Sequence, residues 1–164
     1  MNDKFKIREA GKDDVPVILS FIKELAEYEK LSNEVKATED MLRRNLFEKK
    51  YAEVLIGELN SEPVGFALFF HNFSTFLGKP GIYLEDLYVM KKYRGRGFGR
   101  KMLSYLAKLT AERDCGRLEW SVLDWNKPAI DFYLSIGAVP MEDWTVYRLT
   151  GKELSSLADR SQLI

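Results

Sequence analysis

The chain has 164 residues, 46% of them hydrophobic and 30% charged, which is typical of one soluble globular domain and predicts a single domain over residues 1–164. Its 25 lysines and arginines balance 25 aspartates and glutamates, so nothing in the overall charge favours nucleic acid, and no apolar run approaches the roughly 18–20 residues of a membrane span. One cysteine and one histidine argue against a disulfide and a zinc site, so we expect a cytoplasmic, metal-free protein.

The first half of the chain predicts one strand, two helices and a hairpin. Residues 5–8 alternate apolar and polar side chains, which is typical of a half-buried strand. A helix follows Asp13 and Asp14, because Pro16 suits its first turn and apolar residues recur at helical spacing to about Lys30. Thr38 is a good first cap for a second helix. Strands are then expected at 52–59 and 64–70, joined by a short polar turn.

The second half alternates strands with helices. We expect strands at 82–90, 117–122 and 144–149, an amphipathic helix from residue 98, a short helix from Asn126 to Gly137 and a helical tail. The order β-α-α-β-β-β-α-β-α-β predicts an α/β or α+β protein. Its sheet is expected to be mixed but mostly antiparallel, with six to seven strands and helices on both faces.

A glycine- and arginine-rich turn, Tyr93–Lys101, joins a strand to the amphipathic helix. Glycines allow close approach of the backbone, and the free N–H groups at a helix start bind anions. The arginines of this turn, at positions 94, 96 and 100, add donors suited to phosphate oxygens. The turn therefore predicts a site for a pyrophosphate.

The spacing decides between kinds of pyrophosphate site. A Walker loop requires Gly-Lys-Ser/Thr, but Gly99 is followed by Arg-Lys-Met, and the dinucleotide pattern fails from either Gly95 or Gly97. Arg-x-x-Gly-x-Gly does fit, as Arg94, Gly97 and Gly99, and here the sequence resembles the coenzyme A motif of the GNAT superfamily. A solvated basic turn and a nucleic-acid contact are the alternatives, although no nucleic-acid recognition motif accompanies the cations.

The resemblance extends from Ile7 to about Leu149, and within the superfamily the sequence is similar to the diamine and polyamine acetyltransferases of the spermidine/spermine and thialysine type. The other matching segments are 23–29, 64–67, 83–90 and 125–133. The resemblance implies the GNAT fold and acetyl transfer from acetyl-CoA to an amine. It implies coenzyme contacts at Leu87, Tyr88, Val89, Arg94, Gly95, Arg96, Gly97, Phe98, Gly99, Arg100, Asn126, Ala129 and Tyr133.

Two residues are candidates for the chemistry. A free alkylamine, with a pKa near 10.4, must lose a proton before it attacks, and the leaving thiolate is helped by receiving one. The resemblance places Glu85 as the base, acting through water, and Tyr133 as the acid. Glu85 stands in an otherwise apolar strand, which is costly unless it faces a polar cleft. The alternatives are a surface glutamate and a tyrosine that only packs in the core.

The acceptor is expected to be a primary amine of a small diamine, a polyamine or a lysine-like molecule. Tyr28 and Glu29 match the polyamine-contacting pair of the family, and Glu85, Asp86, Glu119 and Glu142 could add negative charge. The neutral chain and a short segment between Gly137 and Trp144 favour a compact acceptor. A protein or peptide N-acetyltransferase and a non-catalytic coenzyme A sensor are the alternatives. The resemblance also implies a homodimer, with residues 144–149 as a candidate interface.

Overall fold

A five-stranded sheet organises the larger of two units in this computed structural model, which describes residues 4–160. Residues 4–123 form this unit and residues 124–160 form the other. The strands are β1 (Phe5–Glu9), β2 (Glu53–Leu59), β3 (Glu62–Ser74), β4 (Lys79–Val89) and β5 (Leu118–Trp120). The helices of the unit are α1 (Val15–Tyr28), α2 (Glu39–Leu42, continued by a π-helix at Arg43–Glu48) and α3 (Phe98–Glu112).

The predicted helix starts are confirmed. Pro16 lies in the first turn of α1, and the Thr38 hydroxyl accepts a hydrogen bond from the Met41 N–H at 3.3 Å at the start of α2. Such a cap satisfies one of the four N–H groups that a helix start leaves without partners. Asn60 and Ser61 take left-handed backbone conformations, with φ of 51° and 70°, and form a two-residue turn between β2 and β3.

The strands lie in the order β1-β2-β3-β4-β5. The first four form an antiparallel meander, and β4 pairs with β5 in parallel after the chain has crossed over through α3. A parallel pair requires such a crossover, because the chain must return to the same end of the sheet. The sheet is therefore mixed and mostly antiparallel, as the sequence predicts.

Helices cover both faces of the sheet. Neighbouring residues of a strand point to opposite faces of the sheet, so Ile56 and Gly57 lie on different faces. Ile56 belongs to a buried cluster with Phe21 of α1, whereas a Cβ on Gly57 would lie 3.2 Å from the sulfur of Met102 in α3. The core is thus divided between the α1 side and the α3 side.

The second unit contains α4 (Lys127–Ser135) and α5 (Gly151–Arg160). Gly137, at φ 86°, ends α4 by donating its N–H to the Leu134 carbonyl, and the next N–H bonds to the Tyr133 carbonyl. The strand predicted at 144–149 is wrong, since these residues have neither helical nor strand structure. The described sheet has five strands rather than six to seven, because high β-propensity forms a strand only where a partner pairs with it. No helix within residues 4–160 is long and apolar enough to cross a membrane.

Candidate functional site

The glycine-rich turn leaves open space at its glycines. Gly95 and Gly97 have φ of 75° and 78°, a left-handed conformation that other residues adopt at a cost, and Gly97 is the residue that precedes α3. A Cβ built on Gly95, Gly97 or Gly99 would meet no atom within 4 Å. The first N–H groups of a helix have no acceptor within that helix. The turn therefore offers N–H donors around a space that a phosphate group can enter.

Three cationic side chains of the turn and the first turn of α3 each contact an aromatic ring. The guanidinium of Arg96 lies 5.0 Å from the ring centroid of Phe98. Arg94 lies 4.5 Å from the ring of Tyr28, and Lys101 lies 5.8 Å from the ring of Phe98. A ring face holds a cation without neutralising it, so these side chains keep their positive charge beside the turn.

The ladder between β4 and β5 ends halfway along β4. These strands pair only from Ile82 with Leu118 to Leu84 with Trp120, while β4 continues to Val89 and stays paired with β3. Residues 85–89 therefore present one backbone edge that β5 does not pair with. Such an edge can bind an extended, amide-containing ligand as an added strand would. Leu87, Tyr88 and Val89, predicted as coenzyme contacts, lie on this segment and lead towards the glycine turn.

A β-bulge at Glu85 separates the two halves of β4. Phe69 pairs with Leu84 and Leu68 pairs with Asp86, so Glu85 is the extra residue. A bulge re-aims the side chains that follow it. Glu85 is exposed, whereas Asp86 is half-buried opposite Leu68, which packs on the α1 side of the core. Glu85 and Asp86 therefore occupy different environments.

Glu29, Glu85 and Asp86 form a group of carboxylates where β4 faces the end of α1. Burial first, and then the negative charges of Glu85 and Glu29, together raise the pKa of Asp86 to about 6. Burial also raises the pKa of Glu29, the residue that ends α1. Within residues 4–160 none of the three forms an ion pair. A site of this charge favours a cation.

Asp86→Asn is expected to raise the stability of the protein at pH 7. The ordinary pKa of 3.8 rises to about 6 in the fold, so the contribution of Asp86 is fully present below pH 3.8 and is lost as the pH rises through about 6. The wild type should lose about 2–3 kcal/mol of unfolding free energy over that window through this group. The asparagine variant should lack that loss.

Urea denaturation at pH 4 and pH 7 measures the effect. Asp13→Asn is the matched control, because Asp13 is exposed and its replacement should leave the pH dependence as in the wild type. If Asp86→Asn showed the same loss of stability between the two pH values as the wild type, Asp86 would not be the group responsible.

Glu119 is held by other side chains. Its carboxylate forms an ion pair with Arg117, whose Nε lies 2.7 Å away, and accepts a hydrogen bond from the Asn72 side-chain amide at 3.0 Å. Because Arg117 already compensates its charge, Glu119 attracts a cationic ligand less than Glu29 or Asp86 does. The sequence places Glu119 among the acidic residues of the site, but gives no sign of these two partners.

The structure also reveals a side-chain network that sequence reasoning missed. The Tyr88 hydroxyl donates to a carboxylate oxygen of Glu24 at 2.7 Å, and burial followed by this bond raises the pKa of Tyr88 to about 12. The guanidinium of Arg94 lies 5.4 Å from the Tyr88 ring. Arg94 also lies over the ring of Tyr28. In the sequence, only the four-residue spacing of Glu24 and Tyr28, which places both on one face of α1, indicates this network.

The remaining predicted residues belong to the second unit. Asn126 precedes α4 and is buried, and its carbonyl accepts the Ile130 N–H at 3.0 Å, while its side chain makes no capping bond. Tyr133 is half-buried, with its ring 5.5 Å from that of Phe132. Ala129 is half-buried on α4, and Glu142 is exposed beyond it. Within this unit, Asn126, Ala129 and Tyr133 share one short helix and its cap.

The sequence matches known proteins over most of its length. Residues 20–138 match the acetyltransferase (GNAT) family. Thialysine N-epsilon-acetyltransferase of Bos taurus is 40% identical over 166 aligned positions, which cover 94% of this chain and 97% of that protein. L-ornithine N5-acetyltransferase of Arabidopsis thaliana is 31% identical, with 93% of this chain and 87% of that protein covered.

The fold matches solved structures as well. An integron cassette protein from the mobile metagenome of V. cholerae superimposes with a TM-score of 0.79 and 28% identity, over 94% of this chain and 97% of that one.

Proposed function

The chain belongs to the GNAT acetyltransferase family, and from that membership we propose an acetyl-CoA-dependent N-acetyltransferase that acts on a primary amine of a small diamine, polyamine or lysine-like molecule. Direct transfer in a ternary complex is part of the proposal. The observation that carries it is the order of three features along the chain: the carboxylates Glu85 and Asp86, the open edge of β4, and the glycine turn. Because the family match spans the boundary between the two units, we propose that both belong to one acetyltransferase domain.

The residues present fit the coenzyme. The open space at Gly95, Gly97 and Gly99 suits a pyrophosphate, and the edge of β4 beyond its pairing with β5 suits the amides of a pantetheine arm. Arg96 and Arg100 add positive charge at the turn. Bound acetyl-CoA supplies an activated acetyl group, and the free edge of β4 supplies backbone N–H donors where negative charge develops on oxygen.

The proton chemistry is assigned to carboxylates and a tyrosine. An ammonium must lose a proton to become a nucleophile, and Glu85, exposed at the bulge, accepts it through water. Asp86 stays beside it as a second negative charge near the amine. We assign Tyr133 as the group that donates its proton to the departing sulfur, on the strength of the sequence resemblance. The amine nitrogen forms the new bond to the acetyl carbon as the carbon–sulfur bond breaks.

The acceptor class follows from the carboxylates and from the relatives. A molecule with two amines can present one to the reacting centre while Glu29 and its neighbours bind the other as an ammonium. Thialysine and ornithine, which appear in the names of two relatives, both carry a second amine. We therefore place lysine-like amino acids and short diamines ahead of monoamines.

A thiol-release assay with acetyl-CoA and a panel of amines tests this proposal. A diamine should exceed a monoamine of equal length in kcat/KM by about ten- to a hundredfold, because a hydrogen bond to a charged group contributes about 1.5–3 kcal/mol. Glu29→Gln should remove part of that preference and leave the monoamine rate nearly unchanged. Glu27→Gln, an exposed site on the same helix, is the control that should keep the full preference.

Other outcomes select the other functions. Monoamines or peptide N-termini that match diamines would replace the small-molecule proposal with a peptide N-acetyltransferase. Coenzyme A binding without release of thiol from acetyl-CoA in the presence of any acceptor would point to a sensor. A homodimer remains a prediction of the sequence resemblance, and a cytoplasmic location remains a prediction of the composition.

A further inference from the structure

Arg94 belongs to the coenzyme turn through its backbone and to α1 through its side chain. The residue directly precedes Gly95, yet its Nε donates back to the Val89 carbonyl at 2.9 Å. From there the guanidinium extends over the Tyr28 ring, 4.5 Å from the centroid, and also lies 5.4 Å from the ring of Tyr88. These contacts direct the side chain towards the end of α1.

The second ring is itself anchored on α1. Tyr88 is only 4% exposed, and its hydroxyl donates to Glu24 at 2.7 Å. Glu24 and Tyr28 are four residues apart, so they lie one above the other on the same face of the helix. The last two turns of α1 thus hold Arg94 both directly, through Tyr28, and indirectly, through Tyr88.

The end of α1 also carries a carboxylate of the acceptor site. Glu29 follows Tyr28 and ends the helix, its N–H donating to the Leu25 carbonyl at 2.9 Å. The charge of Glu29 raises the pKa of Asp86, which places the two carboxylates within electrostatic reach of each other. A shift of Tyr28 therefore moves Glu29 relative to Asp86.

We propose that Arg94 is a positioning residue that couples the coenzyme turn to the acceptor carboxylates through Tyr28, an inference that rests on the proposed function. Phosphates bound at the turn fix its backbone, which fixes where the Arg94 side chain starts. The stacked guanidinium then holds Tyr28, and with it Glu29, in the place that receives the second amine. Coupling of this kind is reciprocal, so a bound diamine must also tighten coenzyme binding.

An Arg94 side chain that only bound phosphate would behave differently. It would strengthen coenzyme binding by the same factor with or without an acceptor, and it would leave α1 unchanged. Lysine separates the two roles, because it retains the positive charge but lacks the planar group that stacks on a ring. Two variants of Tyr28 separate the same two roles. Tyr28→Phe keeps the ring on which Arg94 stacks, whereas Tyr28→Leu removes it.

Hydrogen exchange of the backbone at residues 25–31, with and without coenzyme A, tests the coupling. Saturating coenzyme A should slow exchange there by about fivefold or more in the wild type, the lower bound of a typical coupling. Arg94→Lys and Tyr28→Leu should abolish the slowing, whereas Tyr28→Phe should retain it. Arg96→Lys is the matched control and should also retain it, because the rings beside Arg96 are Tyr93 and Phe98.

The outcomes separate this inference from the proposed function. Binding of coenzyme A to the wild type with no change at residues 25–31 would overturn the coupling alone. Slowing that persists in both Arg94→Lys and Tyr28→Leu would also overturn it, because the coenzyme would then shield α1 directly. Absence of coenzyme A binding to the wild type would overturn both. If Arg94→Lys failed to fold, the two Tyr28 variants would decide, because Tyr28 is 38% exposed and its replacement is expected to leave the fold intact.

Discussion

Gly97→Val should weaken coenzyme A binding by about 10²-fold or more. Gly97 has a φ of 78°, and a left-handed backbone costs other residues about 1–2 kcal/mol, with β-branched side chains the least tolerant. A valine that leaves this conformation turns the N–H groups at the start of α3 away from the phosphates. Each charged hydrogen bond lost costs about 1.5–3 kcal/mol, and two of them exceed a hundredfold in affinity. Titration calorimetry with coenzyme A measures the loss.

Gly97→Asn is the comparison for this prediction. Asparagine adds a side chain of similar size but adopts the left-handed region more readily than valine. Beyond the neighbouring residues of the chain, no atom lies within 4 Å of a Cβ built at this position, so the Cβ of either residue meets no steric obstacle in the free protein. If the backbone conformation at position 97 determines the affinity for coenzyme A, Gly97→Asn should retain more affinity than Gly97→Val. Equal losses in the two variants would indicate that the side chain blocks the coenzyme. A folded valine variant with wild-type affinity would remove the turn from the coenzyme site.

Tyr133→Phe should lower kcat by about 10²-fold or more, the usual effect of losing a general acid or base. The substitution removes the hydroxyl but keeps the ring, so the 5.5 Å contact with Phe132 persists and α4 should fold as before. Affinity for coenzyme A should change little, because the hydroxyl is assigned to the departing sulfur and not to binding. Steady-state kinetics at saturating acetyl-CoA give kcat, and titration with coenzyme A gives its affinity.

Tyr147→Phe is the matched control for the tyrosine. Tyr147 is 93% exposed in the same unit, so removal of its hydroxyl should not affect the rate. Full activity of Tyr133→Phe would mean that Tyr133 only packs. A lower rate together with weaker coenzyme binding would assign it to binding.

The sequence predicts those parts of the site that depend on residue type at a fixed spacing. Glycines at 95 and 97 next to an amphipathic pattern predict a turn that enters a helix, and the structure has α3 beginning at Phe98. Thr38 and Gly137 likewise predict a helix start and a helix end, because each residue type has a specific role there. In these places local chemistry alone determines the conformation.

Features set by distant partners could not be predicted from local residues. The residues near Glu85 do not by themselves indicate a bulge, because a bulge is defined by its pairing with β3, and only the family resemblance implies one in this strand. The pKa of Asp86 is raised in part by the charge of Glu29 at the end of α1, almost 60 residues earlier in the sequence. Residues 144–149 have a strand-like composition, but Trp144 is 74% exposed and no strand forms there. Composition predicts a strand only when a partner strand is available.

The bulge at Glu85 places the proposed base outside the cross-strand pairs that hold β3 and β4 together. Leu84 and Asp86 already pair with adjacent residues of β3, so deletion of Glu85 would leave every other cross-strand pair in register. A family of sequences could therefore lose or regain this position by a single-codon deletion or insertion without rebuilding the sheet. Changes in chemistry within this fold can thus arise from strand length, and not only from substitution.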